Sequence, residues 1–61
     1  MKNVTAQEYY QTVRVPHAQI RRMSAGRCYD EFVTLCGKPL GEKHQVMNSR
    51  GKVIQETYSV R

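Results

Sequence analysis

The sequence predicts an α+β domain of three short helices followed by a two-stranded antiparallel hairpin. Three observations predict it. Thr5-Ala-Gln-Glu8 has the S/T-x-x-E form of a capping box ahead of a helical apolar repeat. The stretch from Pro16 to Cys36 carries apolar residues at helical spacing, but in two conflicting phases. Asn48-Ser-Arg-Gly51 has the composition of a tight turn between two strand-like segments.

The first helix is expected over residues 6–13. Ala6, Tyr9, Tyr10 and Val13 fall at i, i+3, i+4 and i+7, which places them on one face. A strand through Tyr9 to Val15 competes, since Tyr, Thr and Val favour sheets. The cap decides for the helix. If that segment were a strand, the alternative would be β-α-α-β-β with a small antiparallel sheet.

Pro16 suits the first position of a second helix. One helix through Cys36 would need two cores, because Ile20 and Met23 centre on one face while Cys28, Phe32, Leu35 and Cys36 centre nearly opposite. A break at Ser24-Ala25-Gly26 removes the conflict. Helices near 16–24 and 27–36 follow, with Gly37 as the stop and Pro39 just beyond it.

In the last third, pairing outward from Asn48 and Lys52 sets Met47 opposite Val53 and Val46 opposite Ile54. Val46, Ile54, Tyr58 and Val60 then share a face that packs on the helices, with Gln55, Thr57 and Ser59 on the other. The order of elements is that of a small winged helix-turn-helix.

Sixty-one residues make a single domain (1–61) with a thin core, since a chain this short buries only about 60% of its unfolded surface. Ten Lys+Arg against five Asp+Glu leave a net charge of +5. That sign favours an anionic partner, either nucleic acid or an acidic protein face. No run approaches the eighteen apolar residues of a membrane span, and no secretory leader is visible. Cys28 and Cys36 read as buried free thiols, about 12 Å apart on one helix and too far for a disulfide. The expected setting is cytoplasmic, that of a bacterial host if the chain is phage-encoded.

Catalysis finds no assembled site. Asp30 and Glu31 are adjacent and would diverge on a helix. His17, Cys28, Cys36 and His44 match no close-paired zinc spacing, so neither metal nor cofactor is expected. His44 falls opposite Glu56 in the expected register, as a surface cross-strand pair. Tyr9 and Tyr10, at helical spacing, read as core. A binding protein rather than an enzyme is expected.

The informative stretch is Glu8 to Met23. Val15, Ile20 and Met23 have the spacing that packs a helix-turn-helix, and Ala18, Arg21 and Arg22 point away from Ile20, with Gln19 at the side. The run Gln7-Glu8-Tyr9 … Val15-Pro-His-Ala-Gln-Ile-Arg-Arg-Met, followed by Ala25-Gly26-Arg27, resembles the start of phage excisionase and Cox-type regulators. It is also similar to the wider MerR-like winged-helix DNA binders. The resemblance covers about 20 of the 61 residues.

It implies a transcriptional regulator or recombination directionality factor bound to double-stranded DNA. Gln19, Arg21 and Arg22 would meet bases or phosphates. Arg50 and Lys52 would form a wing tip, and Arg14 and Arg27 would clamp phosphates. The chain departs from that pattern in four places. Arg14 stands where those proteins have a turn glycine, and Tyr10 stands where they have alanine. The glycine after Met23 comes about one residue early, and a Cys28–Cys36 helix intervenes before the wing. The alternative expectation is a phage-encoded module that binds a host enzyme through its basic face. A third is a small homo-oligomer whose subunits pool their thin cores.

Overall fold

The computed structural model describes residues Met1–Arg61. Helix α1 (Ala6–Val13) begins where the sequence places it: the Thr5 hydroxyl accepts from the Glu8 N–H at 3.2 Å. The rest of what was expected as helix is strand and turn. The elements are β1 (Lys2–Val4), α1, β2 (Gln19–Ala25), β3 (Cys28–Leu35), β4 (Lys38–Met47) and β5 (Val53–Val60). The five strands form one antiparallel sheet in the order β1-β5-β4-β3-β2.

The three-helix prediction fails for a physical reason. Both expected helix ends are hairpin turns. Gly26 has φ +61 at the first central position of a two-residue turn, the arrangement of type II′. Cys36 and Gly37 both have positive φ, as type I′ requires, and Leu35 pairs with Lys38 around them. Residues 28–35 are rich in Tyr, Phe, Val and Thr, which suit a half-buried pleated surface. The opposed phases of 16–24 and 27–36 are not two helix faces. Ile20 and Met23 sit on opposite faces of one exposed strand, as do Phe32 and Leu35 on the next, and the β-α-α-β-β alternative fails with the helices. Arg14 is the helix C-cap at φ −84, so the left-handed residue of the connection is His17.

The third turn is as expected. The Gly51 N–H donates to the Asn48 carbonyl, and Asn48 Oδ1 accepts from the Arg50 and Lys52 N–H groups. Met47 pairs with Val53 as expected, but a bulge then sets Val46 opposite Gln55. Ile54 is left exposed, and Val46 lies on the face away from Tyr58 and Val60. The bulge also moves Glu56 opposite Gln45 and Thr57 opposite His44, so His44 finds Asp30 on β3 instead. Both cysteines are free, and Cys36 is exposed in its turn rather than buried.

Helix α1 covers one face of the sheet over β4 and β5. Tyr9 and Val13 meet Val33, Tyr58 and Val60 in a core of five buried apolar residues. Gly41 makes this approach possible, because a Cβ there would stand 2.7 Å from Val13 Cγ1 and 3.1 Å from Tyr9 Cε1. The other face has no covering layer. No helix of the chain is long and apolar enough to cross a membrane.

Two substitutions test these constraints in opposite directions. Gly41→Ala should lower unfolding free energy by about 1–3 kcal/mol, the cost of overpacking a tight contact. Cys36→Asn, which supplies the Asn-Gly pair that type I′ turns prefer, should raise it by roughly 0.5–1 kcal/mol. Urea midpoints of the two variants measure both.

Candidate functional site

On the helix-covered face, one row across the sheet reads Arg22, Glu31, Lys43, Tyr58, Val4. Glu31, between Arg22 and Lys43, is buried. Its carboxylate accepts from Tyr29 Oη at 2.8 Å and Tyr9 Oη at 3.3 Å, and Arg22 Nε lies 3.4 Å away. Lys43 donates to Tyr10 Oη at 2.8 Å and lies within 5.9 Å of the ring centres of Tyr10, Tyr29 and Tyr58. All four tyrosines therefore converge on one buried acid and one half-buried amine. No buried side-chain polar atom lacks a partner.

This cluster has the chemistry of a clasp. Tyr9 and Tyr10 reach from the helix to Glu31 and Lys43 on the sheet, fixing the helix by charge-assisted bonds. Burial first, then Glu31, pushes the hydroxyls of Tyr9 and Tyr29 upward in pKa. Burial and the bond to Glu56 push Tyr58 up to about 12. Burial alone would lower Lys43, but Tyr10, Glu31 and Tyr29 together outweigh it and hold the ammonium above its usual range.

The expected site residues are scattered over the fold. Gln19, Arg21 and Arg22 lie on β2 rather than on a recognition helix, and alternation sends Arg22 to the face opposite Gln19 and Arg21. Arg27 occupies the β2–β3 turn, and Arg50 and Lys52 the β4–β5 turn. These two turns share one end of the sheet, where the Met47 N–H donates to the Arg27 carbonyl. Arg14 caps the far end of α1, its guanidinium 5.3 Å from the Tyr10 ring centre. Val15, Ile20 and Met23 do not pack a helix-turn-helix. Ile20 and Met23 sit on opposite faces of β2 and are both exposed.

The feature that stands out is β2 itself. It is an edge strand of seven residues, every one exposed. A two-residue hairpin closes on a hydrogen-bonded pair, here Ala25 with Cys28. Alternation then turns the N–H and C=O groups of Ile20, Arg22 and Ser24 away from β3, toward open space. The opposite edge, β1, is only three residues long, which is one way natural sheets blunt an edge. Strand β2 contains neither proline nor lysine, and its pairing with β3 runs without a bulge. A shallow depression of about 670 Å³ runs along it, lined by Gln19, Ile20, Arg21, Met23, Phe32 and Thr34.

Sequence reasoning missed Ile20 and Met23 as surface residues and Glu31 as the core acid. The available signal was the turn spacing: Gly26, Gly37 and Gly51 recur at intervals of strand-plus-turn length. No protein family, curated protein or solved structure matches the chain.

The clasp has two measurable consequences. Glu31→Ala, which leaves Arg22 and Lys43 beside an empty site, should cost about 2–4 kcal/mol of unfolding free energy. The raised groups also give stability an alkaline limit. A folded-state pKa above the unfolded value adds stability at pH below the unfolded pKa, and that stability is lost as pH rises through the folded one. For Tyr9, Tyr29 and Tyr58 the unfolded value is 10.0. Stability should therefore be insensitive to these groups at neutral pH and fall steadily above about pH 10. Tyr9→Phe should make that fall shallower in denaturant titrations taken at successive pH values.

Proposed function

We propose that this protein is a small protein-binding module that engages its partner by adding a strand at the β2 edge. The single observation behind this reading is the fully exposed, regular β2 edge, with exposed Ile20 and Met23 on its two faces. An unpaired edge of this length offers main-chain hydrogen bonds to an extended segment, and alternate side chains on the two faces supply selectivity. The chain's other edge is too short to do the same. A phage-encoded module of this kind would act on a host protein by occupying or redirecting it.

A second reading, binding to double-stranded DNA, keeps one favourable observation. Arg27, Arg50 and Lys52 gather at one end of the sheet with no acidic residue in either turn, and Gln19 and Arg21 share the uncovered face. A β-ribbon can enter a major groove. Against it, the same uncovered face carries Asp30 and Glu42, which repel phosphate.

Ser24→Pro separates the readings. Its N–H points outward, so proline there removes no ladder bond within the sheet and is tolerated on an edge. The variant should keep its fold, with stability changed by no more than about 1 kcal/mol, yet lose a polypeptide partner captured from nuclease-treated lysate. Retention of that partner would count against strand addition. For the second reading, anisotropy with a 20-base-pair duplex should show binding whose logarithm falls with log salt at roughly −0.9 per phosphate contacted. Arg27, Arg50 and Lys52 would carry it, and Ser24→Pro would leave it unchanged.

A further inference from the structure

We infer that the strand received by β2 carries two consecutive acidic residues flanked by apolar ones, an apolar–acidic–acidic–apolar segment. This rests on the strand-addition reading and names its partner class. The central four residues of β2 are Ile20-Arg21-Arg22-Met23. In a paired strand, directly opposed residues share a face, and successive residues alternate between faces. Arg21 projects to the uncovered face and Arg22 to the helix-covered one. One acidic residue can reach only one of them, whereas two in succession reach both.

Each arginine is free to accept such a partner. Arg21 makes no ion pair within the chain. Arg22 uses Nε for Glu31 while its side chain stays 61% exposed. The planar guanidinium therefore keeps its terminal N–H groups for an incoming carboxylate. The incoming acid would face a cation already held in place by Glu31, which lowers the ordering cost.

The flanking positions follow from the same register. Ile20 and Met23 are 45% and 49% exposed, large apolar side chains with nothing of this chain over them. On the uncovered face, a residue opposite Met23 would enter the depression beside Phe32. On the other face, a residue opposite Ile20 would cover it beyond the reach of α1, which packs on β4 and β5. The pattern reads the same in either chain direction, so it holds for parallel and antiparallel addition.

Charge also decides against a second copy of β2 as the occupant. Antiparallel pairing about the strand centre would set Arg22 against Arg22 of the other copy, a like-charge pair directly opposed. No acidic residue lies anywhere in residues 9–29 to offset it. The arginines that discourage self-association are the ones that select an acidic strand.

Three capped peptides of equal length, with central Val-Glu-Glu-Val, Val-Thr-Thr-Val and Val-Lys-Lys-Val, test this by titration into ¹⁵N-labelled protein. The expected result is amide shifts centred on Ile20, Arg22 and Ser24. The Glu-Glu peptide should bind at least tenfold more tightly than Thr-Thr, and Lys-Lys should not bind. Arg21→Glu alters a residue without a partner in the fold, and it should bring the Glu-Glu advantage below about threefold. Equal affinity of Glu-Glu and Thr-Thr peptides at β2 would overturn the acidic pattern and leave strand addition standing. Shifts located away from β2, or none with any peptide, would overturn both. A rise in mass to the dimer in sedimentation, with β2 amides protected in the free protein, would replace the acidic strand by a second copy.

Discussion

The buried carboxylate of Glu31 organises this molecule. A charged group in so thin a core survives only because Tyr9, Tyr29 and Arg22 each direct a donor at it. Tyr9 comes from the helix, so satisfying Glu31 also sets where α1 lies. Lys43, next to Glu31 across β3 and β4, engages Tyr10 from the same helix. The helix is thus held by polar and aromatic contacts as much as by apolar burial, and Gly41 lets it lie flat against β4. With an eight-residue helix fixed over β4 and β5, the chain has nothing left to cover β2.

How much of this was legible follows from which signals are local. The helix at 6–13 was readable because a capping hydroxyl and a four-residue apolar stripe both lie within it. The Asn48–Gly51 turn was readable because its own side-chain and backbone bonds close it. The pairing of Met47 with Val53 followed, but the bulge at Ile54 did not, since nothing in the residue order marks it. Cys36 in a left-handed turn position is a weak turn signal, and Cys36-Gly37 therefore resembled a helix stop.

The central region shows the harder limit. In residues 19–25 both faces are exposed, so no alternation of apolar and polar residues was imposed on them. Ile20 and Met23 three apart then mimic a helical stripe. In β3 the charged Glu31 occupies a core position, which breaks the alternation of Tyr29, Val33 and Leu35 where it would have been most informative. Acid in the core and apolar residues on the surface invert the usual pattern, and both inversions belong to the clasp and the open edge. Gln19, Arg21 and Arg22 were singled out as exposed polar or charged side chains, and exposed they are. The helix assumed to carry them is a strand, and in the strand-addition proposal the recognition element is a backbone edge flanked by two arginines.

An ordered strand with a free outer edge is the feature on which the functional account stands. Native-state hydrogen exchange of the β2 amides in the isolated protein measures it directly. The N–H groups of Arg21, Met23 and Ala25, bonded to β3, should exchange slowly, while those of Ile20, Arg22 and Ser24 should exchange near the rate of an open chain. Uniform protection across 19–25 would mean the edge is already covered, and uniform fast exchange would mean there is no strand to extend. Either result would contradict the account.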